Sequence, residues 1–340
     1  MSSNEKLQQC AQSFFQKGKG VLAADESTST MNKRLEAIGV PGEPEMRRKY
    51  RQLLFTAPNI EQYLSGVIMY DSSIRNHTDD GTPFVDVLIA KGIVPIIKVD
   101  KSTTDHTGFP NEVITEGLDG LRERLHEYYE FGARAAKWRA VFTISDTTPT
   151  DQNIMFDCVT LARYAALCQL ENIVPMVEPE VLLNGPHSIE RSEEVTTNVV
   201  RKLFQVLAWY NVDLRGVILK TSMVLAGSDH EIESTPEEVA EATARMLRNA
   251  VPKEVAGVVF LSGGQSWQRA TMNLNAFSEF ESTLPWPTTF SFSRAIEEPI
   301  LDAWRGKEEN VAAAQKVMLH RLKMNALAEQ GQYNPSLENV

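Results

Sequence analysis

The chain has 340 residues, 42% of them hydrophobic and 23% charged, enough to bury a large core. No run of about 18 apolar residues occurs, which argues against a membrane-spanning helix. Thirty-four basic against 45 acidic residues leave a net charge of −11, which speaks against nucleic acid and anionic membranes as partners and leaves room only for a local basic pocket.

In chain order, residues 4–16 place Leu7, Cys10, Ala11, Phe14 and Phe15 on one helical face. An N-terminal helix within residues 1–17 is therefore predicted, packed on the rest of the protein. A recurring unit follows: a glycine, a short apolar run and a closing polar residue. It appears as Gly20–Asp25, Gly66–Asp71, Gly92–Lys98, Gly216–Lys220 and Gly257–Ser262, and without its glycine as Ile173–Glu178. Consecutive apolar positions rich in Val and Ile suit parallel strands buried on both faces. Segments of helical spacing lie between them, over residues 117–131, 157–171, 192–210 and 235–250. Thr235-Pro236-Glu237-Glu238 reads as an N-cap, a first-turn proline and two acids that favour the helix dipole.

Strand alternating with helix means a parallel α/β architecture. The runs close at Lys98, Lys137, Glu178, Lys220 and Ser262, at intervals of 39, 41, 42 and 42 residues. An eighth of the chain is about 42 residues, the room needed for a (β/α)8 TIM barrel. Strand ends are expected near Asp25, Tyr70, Lys98, Arg139, Glu180, Lys220, Ser262 and Phe292. A doubly wound open sheet is the alternative, weakened because no GxGxxG marks the first turn. With no Ser/Gly/Pro-rich linker, residues 1–340 read as one domain, closed by a short tail at 334–340.

Barrel enzymes build their sites at the C-terminal ends of the strands. Here those positions hold Asp25, Lys98, Lys137, Arg139, Glu178, Glu180, Lys220, Ser262 and Arg294. Five cations inside an acidic protein point to an anionic substrate, such as one carrying phosphates. Lys220 ends an apolar strand. Desolvation there, reinforced by Lys137 on a neighbouring strand, favours a neutral amine able to form a Schiff base with a carbonyl. The other reading sends its side chain past the strand end into solvent. Glu178 and Glu180, two residues apart, share a side of their strand and can divide acid and base work, or can serve as rim acids neutralising the lysines. Ser262-Gly263-Gly264 follows the seventh run and can present backbone N–H groups to an anion, with Arg294 after the eighth as a bidentate partner; the plain alternative is a Gly-rich turn. After the first run, Asp25 is a base or the partner of a lysine. Ser27 and Thr30 read better as helix caps, and Lys33-Arg34 is either a solvated face or a clamp on a distal phosphate.

Three widely spaced cysteines fit a reducing, cytoplasmic setting, and no secretory leader is recognisable at the N-terminus. The six histidines never fall at metal-ligand spacing, so no metal and no cofactor is expected.

Taken together, several stretches resemble the class I, Schiff-base-forming fructose-bisphosphate aldolases: Gly18–Thr28, Gly117–Leu121, Ala136–Arg139, Ile173–Glu180, Gly257–Ser266 and Thr289–Arg294. The resemblance runs from Gly18 to Tyr333. It implies reversible cleavage of fructose 1,6-bisphosphate into dihydroxyacetone phosphate and glyceraldehyde 3-phosphate, and a homotetramer. By matching residue it implies Lys220 as the Schiff-base lysine and Glu178 as the carboxylate that handles protons during imine formation. Glu180 and Lys137 match its charged neighbours, and Asp25 the acid that takes the C4 hydroxyl proton. Ser262, Gly263, Gly264, Ser291, Ser293 and Arg294 match the 1-phosphate side; Arg34, Ser27, Lys98 and Arg139 match further phosphate-binding or charge-organising positions. A Schiff-base enzyme with another sugar phosphate, sedoheptulose 1,7-bisphosphate or fructose 1-phosphate, is the runner-up, and a non-catalytic barrel scaffold the non-enzymatic reading.

Four departures from the animal pattern stand out. Ser293 replaces a glycine, which would be costly if the position needs a positive φ. Thr30 replaces a serine, and Thr221-Ser222 replaces a Pro-Asn pair. No tyrosine follows Tyr333, so Glu178 or a water it orients is expected to protonate the enamine without help from a terminal tyrosine.

Overall fold

The computed structural model describes residues 2–338. Met1, Asn339 and Val340, and with them the outermost positions of the expected N-terminal helix (1–17) and tail (334–340), lie outside the described residues. The strands are β1 (Gly20–Ala24), β2 (Leu64–Met69), β3 (Val94–Lys98), β4 (Thr103–Asp105), β5 (Val113–Thr115), β6 (Ala135–Phe142), β7 (Val174–Val181), β8 (Ile218–Thr221), β9 (Gly257–Phe260) and β10 (Thr288–Phe292). Eight of them close into a parallel barrel in the order β1-β10-β9-β8-β7-β6-β3-β2, and the open-sheet alternative falls. The remaining two, β4 and β5, form an antiparallel hairpin at the site end. That hairpin is absent from the sequence reading because its strands are only three residues long: β4 is polar and exposed, and the partly buried Val-Ile-Thr of β5 is too short to show a period.

The barrel interior explains where charge ends up. Val21 and Ala23, Ile96, Ala135, Val174 and Met176, Ile218 and Val259 fill it as one apolar cluster. Side chains alternate across a strand, so the same inward rows continue two residues later as Asp25, Lys98, Lys137, Glu178 and Lys220. These five inward rows therefore start apolar and end charged, and parallel strands bring their charged ends to one mouth.

The opposite mouth is plugged by the N-terminus. Leu7, Ala11 and Phe14 are buried and join the interior cluster. The helix runs over Ser3–Gln12 rather than to residue 17. The Ser13 hydroxyl turns back to donate to the Cys10 carbonyl, and the chain leaves the helix so that Phe14 can enter the barrel floor. Glycines near the starts of two strands make this possible. A Cβ on Gly66 would lie 2.6 Å from the Phe14 ring and one on Gly257 only 2.2 Å from Phe15.

The outer helices follow their caps. The helix expected at 157–171 spans Asp151–Leu170, because the Thr150 side chain accepts from Asn153 N–H and starts it six residues earlier. The one expected at 117–131 begins at Leu121, since Gly120 before it has φ 64°. Residues 192–210 become Ile189–Trp209, capped by Ser188. Thr235 and Glu238 form the capping box of Pro236–Ala250. No helix among the described residues is long and apolar enough to cross a membrane.

Candidate active site

A cleft of about 630 Å³ opens over the charged mouth. At its floor Lys220, from the end of β8, is 3% exposed. Its ammonium lies 3.0 Å from Glu178 Oε1, so the solvent-facing reading of this lysine falls. Glu178 Oε2 is 3.0 Å from Lys137 Nζ, and Lys137 Nζ is 2.7 Å from Asp25 Oδ2. The result is a buried row, Lys220–Glu178–Lys137–Asp25, of alternating sign. The two lysines expected to act on each other are bridged by a carboxylate that touches both.

Burial and charge compete at each member. At Asp25 burial acts to raise the pKa, but Lys137 and then Lys220 outweigh it and hold the carboxyl at about 2. Glu178 is likewise pulled down against its burial by Lys137, Lys220 and Arg139. Burial disfavours the charge on Lys137, yet Asp25 and Glu178 overcome it and keep this lysine protonated far beyond neutral pH. Lys137 therefore works as a fixed cation, whereas Glu178 faces Lys220 as a proton acceptor.

Glu180, expected beside the lysines, pairs instead with Arg139. Inward alternation sets Glu178 and Glu180 on the same side, but Glu180 lies one step nearer the mouth, where β6 presents Arg139. Lys98 pairs with Asp100, which also accepts from the Arg139 backbone N–H at 3.3 Å.

The flanks carry the remaining expected residues. Ser262, Gly263, Ser291, Ser293 and Arg294 line one side of the cleft. Gly263 has φ 34°, and an added Cβ would lie 2.5 Å from Leu261 Cδ1, so the turn after β9 requires glycine there. Gly264 does not line the cleft; it packs beside it, where an added Cβ would meet Leu183 at 3.3 Å. Arg294 opens the helix Arg294–Trp304 and is exposed. Ser293 has φ −110°, so the feared backbone cost of a side chain here is absent. Its hydroxyl donates to Glu26 Oε1 at 3.1 Å and receives Arg34 at 3.4 Å. On the other side, Ser27 lines the cleft and also caps the helix Thr28–Ala37 through Thr30 N–H, with its Oγ 3.0 Å from Thr30 Oγ1. The Lys33-Arg34 pair splits: Lys33 is exposed at the cleft, and Arg34 turns inward onto Glu26. Ser222 donates to the Val181 carbonyl at 3.0 Å, stitching the end of β8 to β7.

Sequence reasoning missed Glu26, Asp100, Arg51 and Glu297. Arg51 is salt-bridged to Glu26 and reaches Glu297 at 3.3 Å. A signal existed for two of them. Arg51 follows Tyr50 and precedes Leu53 and Leu54, and Glu297 follows Ile296 and precedes Ile300, so both charges interrupt an apolar helical face. Among the described residues, no cluster of three or more His, Cys, Asp or Glu side chains could hold a metal ion.

Known proteins resemble this chain over nearly its full length. Residues 6–340 match the family described as "Fructose-bisphosphate aldolase class-I". A Xanthomonas axonopodis pv. citri protein named "Probable fructose-bisphosphate aldolase class 1" is 47% identical over 332 residues, which cover 97% of this chain and 99% of that one. The fructose-bisphosphate aldolase of Drosophila melanogaster is 46% identical, over 97% of this chain and 91% of its own. A solved structure of the Plasmodium falciparum fructose-bisphosphate aldolase, in complex with TRAP and a small-molecule inhibitor, superposes with a TM-score of 0.96 at 43% identity, over 98% of this chain and 96% of that one. With a closed barrel, a buried lysine at the end of β8 and full-length similarity in agreement, the chain belongs to the class I fructose-bisphosphate aldolase family.

Proposed function

We propose that Lys220 forms the Schiff base in the reversible cleavage of fructose 1,6-bisphosphate to dihydroxyacetone phosphate and glyceraldehyde 3-phosphate, the reaction of this family. The observation that carries the assignment is the contact of Glu178 with both lysines. Lys220 must lose a proton to attack the C2 carbonyl. Glu178 is 3.0 Å away to receive it and to return it to the carbinolamine oxygen as water leaves. Lys137 holds its charge throughout and keeps Asp25 anionic. Asp25 then accepts the C4 hydroxyl proton while the C3–C4 bond breaks and its electrons pass into the iminium, leaving an enamine. Once the aldehyde has left, Asp25 releases its proton to water, and Glu178, reprotonated from that water, protonates C3 directly or through a water and regenerates the iminium for hydrolysis.

A bisphosphate needs cations at both ends of the cleft. Arg294 with Ser262, Gly263 and Ser291 supports the 1-phosphate side, and Arg34, Ser27, Lys98 and Arg139 support the remaining charge. Assembly as a homotetramer is carried over from the resemblance. It is supported by the large apolar side chains of Leu170, Trp209 and Ile232, each more than half exposed, and light scattering tests it. A cytoplasmic setting is supported by similarity to the spinach cytoplasmic and Arabidopsis thaliana cytosolic isozymes. Borohydride reduction with dihydroxyacetone phosphate, followed by peptide mapping, tests the core of the proposal. The label belongs on Lys220; a label on Lys137 or Lys98 with Lys220 untouched would refute it.

A further inference from the structure

Four charged side chains meet behind the phosphate flank without taking part in the steps above. Glu26 follows β1, Arg34 lies on the helix Thr28–Ala37, Arg51 on the helix Pro44–Thr56 and Glu297 on the helix Arg294–Trp304. Glu26 has both oxygens engaged: Oε1 by Arg34 and the Ser293 hydroxyl, Oε2 by Arg51. Glu297 places Oε2 3.3 Å from Arg51 and 3.9 Å from Arg34. Its Oε1 is buried with no hydrogen-bond partner. Arg51 and Glu297 are sealed off, whereas the Arg34 side chain is 20% exposed and lines the cleft.

We propose that Glu297 is a positioning residue that takes up a proton when a phosphoryl group draws Arg34 away from Glu26, so that phosphate engagement is linked to protonation outside the reacting centre. The inference rests on the reading of Arg34 as a phosphate ligand. In the ligand-free cluster two guanidiniums balance two carboxylates once Glu297 is ionised, as it increasingly is above pH 8. Once Arg34 shares its charge with a phosphate dianion, two buried carboxylates are left on Arg51, and one of them must become neutral. Glu297 is the one, because its free Oε1 can hold the proton and Glu26 has no free oxygen. The proton comes from bulk water or buffer, and only an O–H bond is made. The groups facing the Glu297 carboxyl are Arg34 and Arg51, with Glu26 and, behind it, Asp25. The Tyr50 hydroxyl donates to the Glu297 backbone carbonyl at 3.4 Å. Burial, followed by the charge of Glu26, already raises this carboxyl to about 8 in the free protein, so little further change is needed.

The sign follows from linkage. Binding raises the affinity of Glu297 for its proton, so protons are taken up and ligand affinity falls as pH rises past the free-state value. The test uses the intact chain and a hexitol 1,6-bisphosphate, which lacks a carbonyl and so cannot engage Lys220 covalently. At pH 8 its phosphates are dianionic and their own titration is silent. Calorimetry in buffers of different ionisation enthalpy is expected to show uptake of about half a proton at pH 8, and affinity falling about fivefold from pH 8 to 9 on this account. E297Q, fixed in the neutral form, loses the uptake and that part of the pH dependence; E297D, still titratable, retains uptake. No uptake in the parent chain, or uptake undiminished in E297Q, would overturn the inference. R34A separates the two readings: unimpaired binding there would refute the phosphate assignment of Arg34 itself, whereas weakened binding without uptake in the parent refutes the proton linkage alone.

Discussion

Replacing Lys137 with Met tests the alternating row at the floor of the cleft. Lys137 is the ion-pair partner of Asp25 at 2.7 Å and one of two for Glu178, which keeps Lys220 at 3.0 Å. Asp25 is therefore the group left stranded, 8% exposed and without a cation in contact. In the native chain its carboxyl sits at about 2, against about 3.9 in an unfolded chain. That difference corresponds to about 2–3 kcal/mol of stability present above pH 4 and lost as pH falls through 2. Lys137→Met removes this contribution and leaves a buried charge unpaired, so unfolding in urea at pH 7 should show a loss of about 3–5 kcal/mol. The pH dependence then changes sign. A stranded Asp25 has its pKa raised above the unfolded value, so the penalty is present at neutral pH and relieved as pH falls through the new folded value. The stability gap between Lys137→Met and the parent should thus narrow from pH 7 to pH 5. A gap that stays constant or widens over that range would refute the idea that Lys137 acts chiefly by holding Asp25 ionised.

Arg294→Ala should weaken binding of dihydroxyacetone phosphate by about 1.5–3 kcal/mol, the range of a charge-assisted hydrogen bond; normal binding in an equilibrium titration would place the 1-phosphate elsewhere. Gly66→Ala puts a methyl 2.6 Å from the Phe14 ring and should cost about 1–3 kcal/mol by overpacking. Phe14→Ala in the same chain should return part of that loss in thermal unfolding, and strict additivity of the two changes would mean that the N-terminal plug does not pack there. Dialysis against a chelator should leave cleavage activity unchanged, because in the proposed route an iminium on Lys220 withdraws the electrons; loss of activity restored by zinc would contradict that route.

Much of the barrel was legible because its strands are short and largely buried, and because the closing residues from Lys98 to Ser262 recur at intervals of 39, 41, 42 and 42 residues. Lys98 and Lys220 could be placed at or beside strand ends from the apolar runs alone, whereas β7 continues past Glu178 to Val181. Thr235 and Glu238 announced their helix because capping is a local transaction of backbone N–H groups and nearby side chains. The hairpin of β4 and β5 escaped because strands of three residues are too short to show a period.

Local chemistry in the sequence determined which residues reach the mouth of the barrel, but it left their partners open. Whether Lys220 faced solvent or a carboxylate, and whether Glu180 served a lysine or Arg139, depended on strand register and closure. Those are set by packing between residues 40 or more apart in sequence. The cluster of Glu26, Arg34, Arg51 and Glu297 shows the same limit more sharply. Arg51 and Glu297 are 246 residues apart and join only because the helix after the last barrel strand, Arg294–Trp304, returns beside the helix Pro44–Thr56. A charge in an apolar helical stripe marks each of them as unusual, and the low-dielectric interior demands that each find an opposite charge. Only ring closure, which brings β10 beside β1, decides that they find one another.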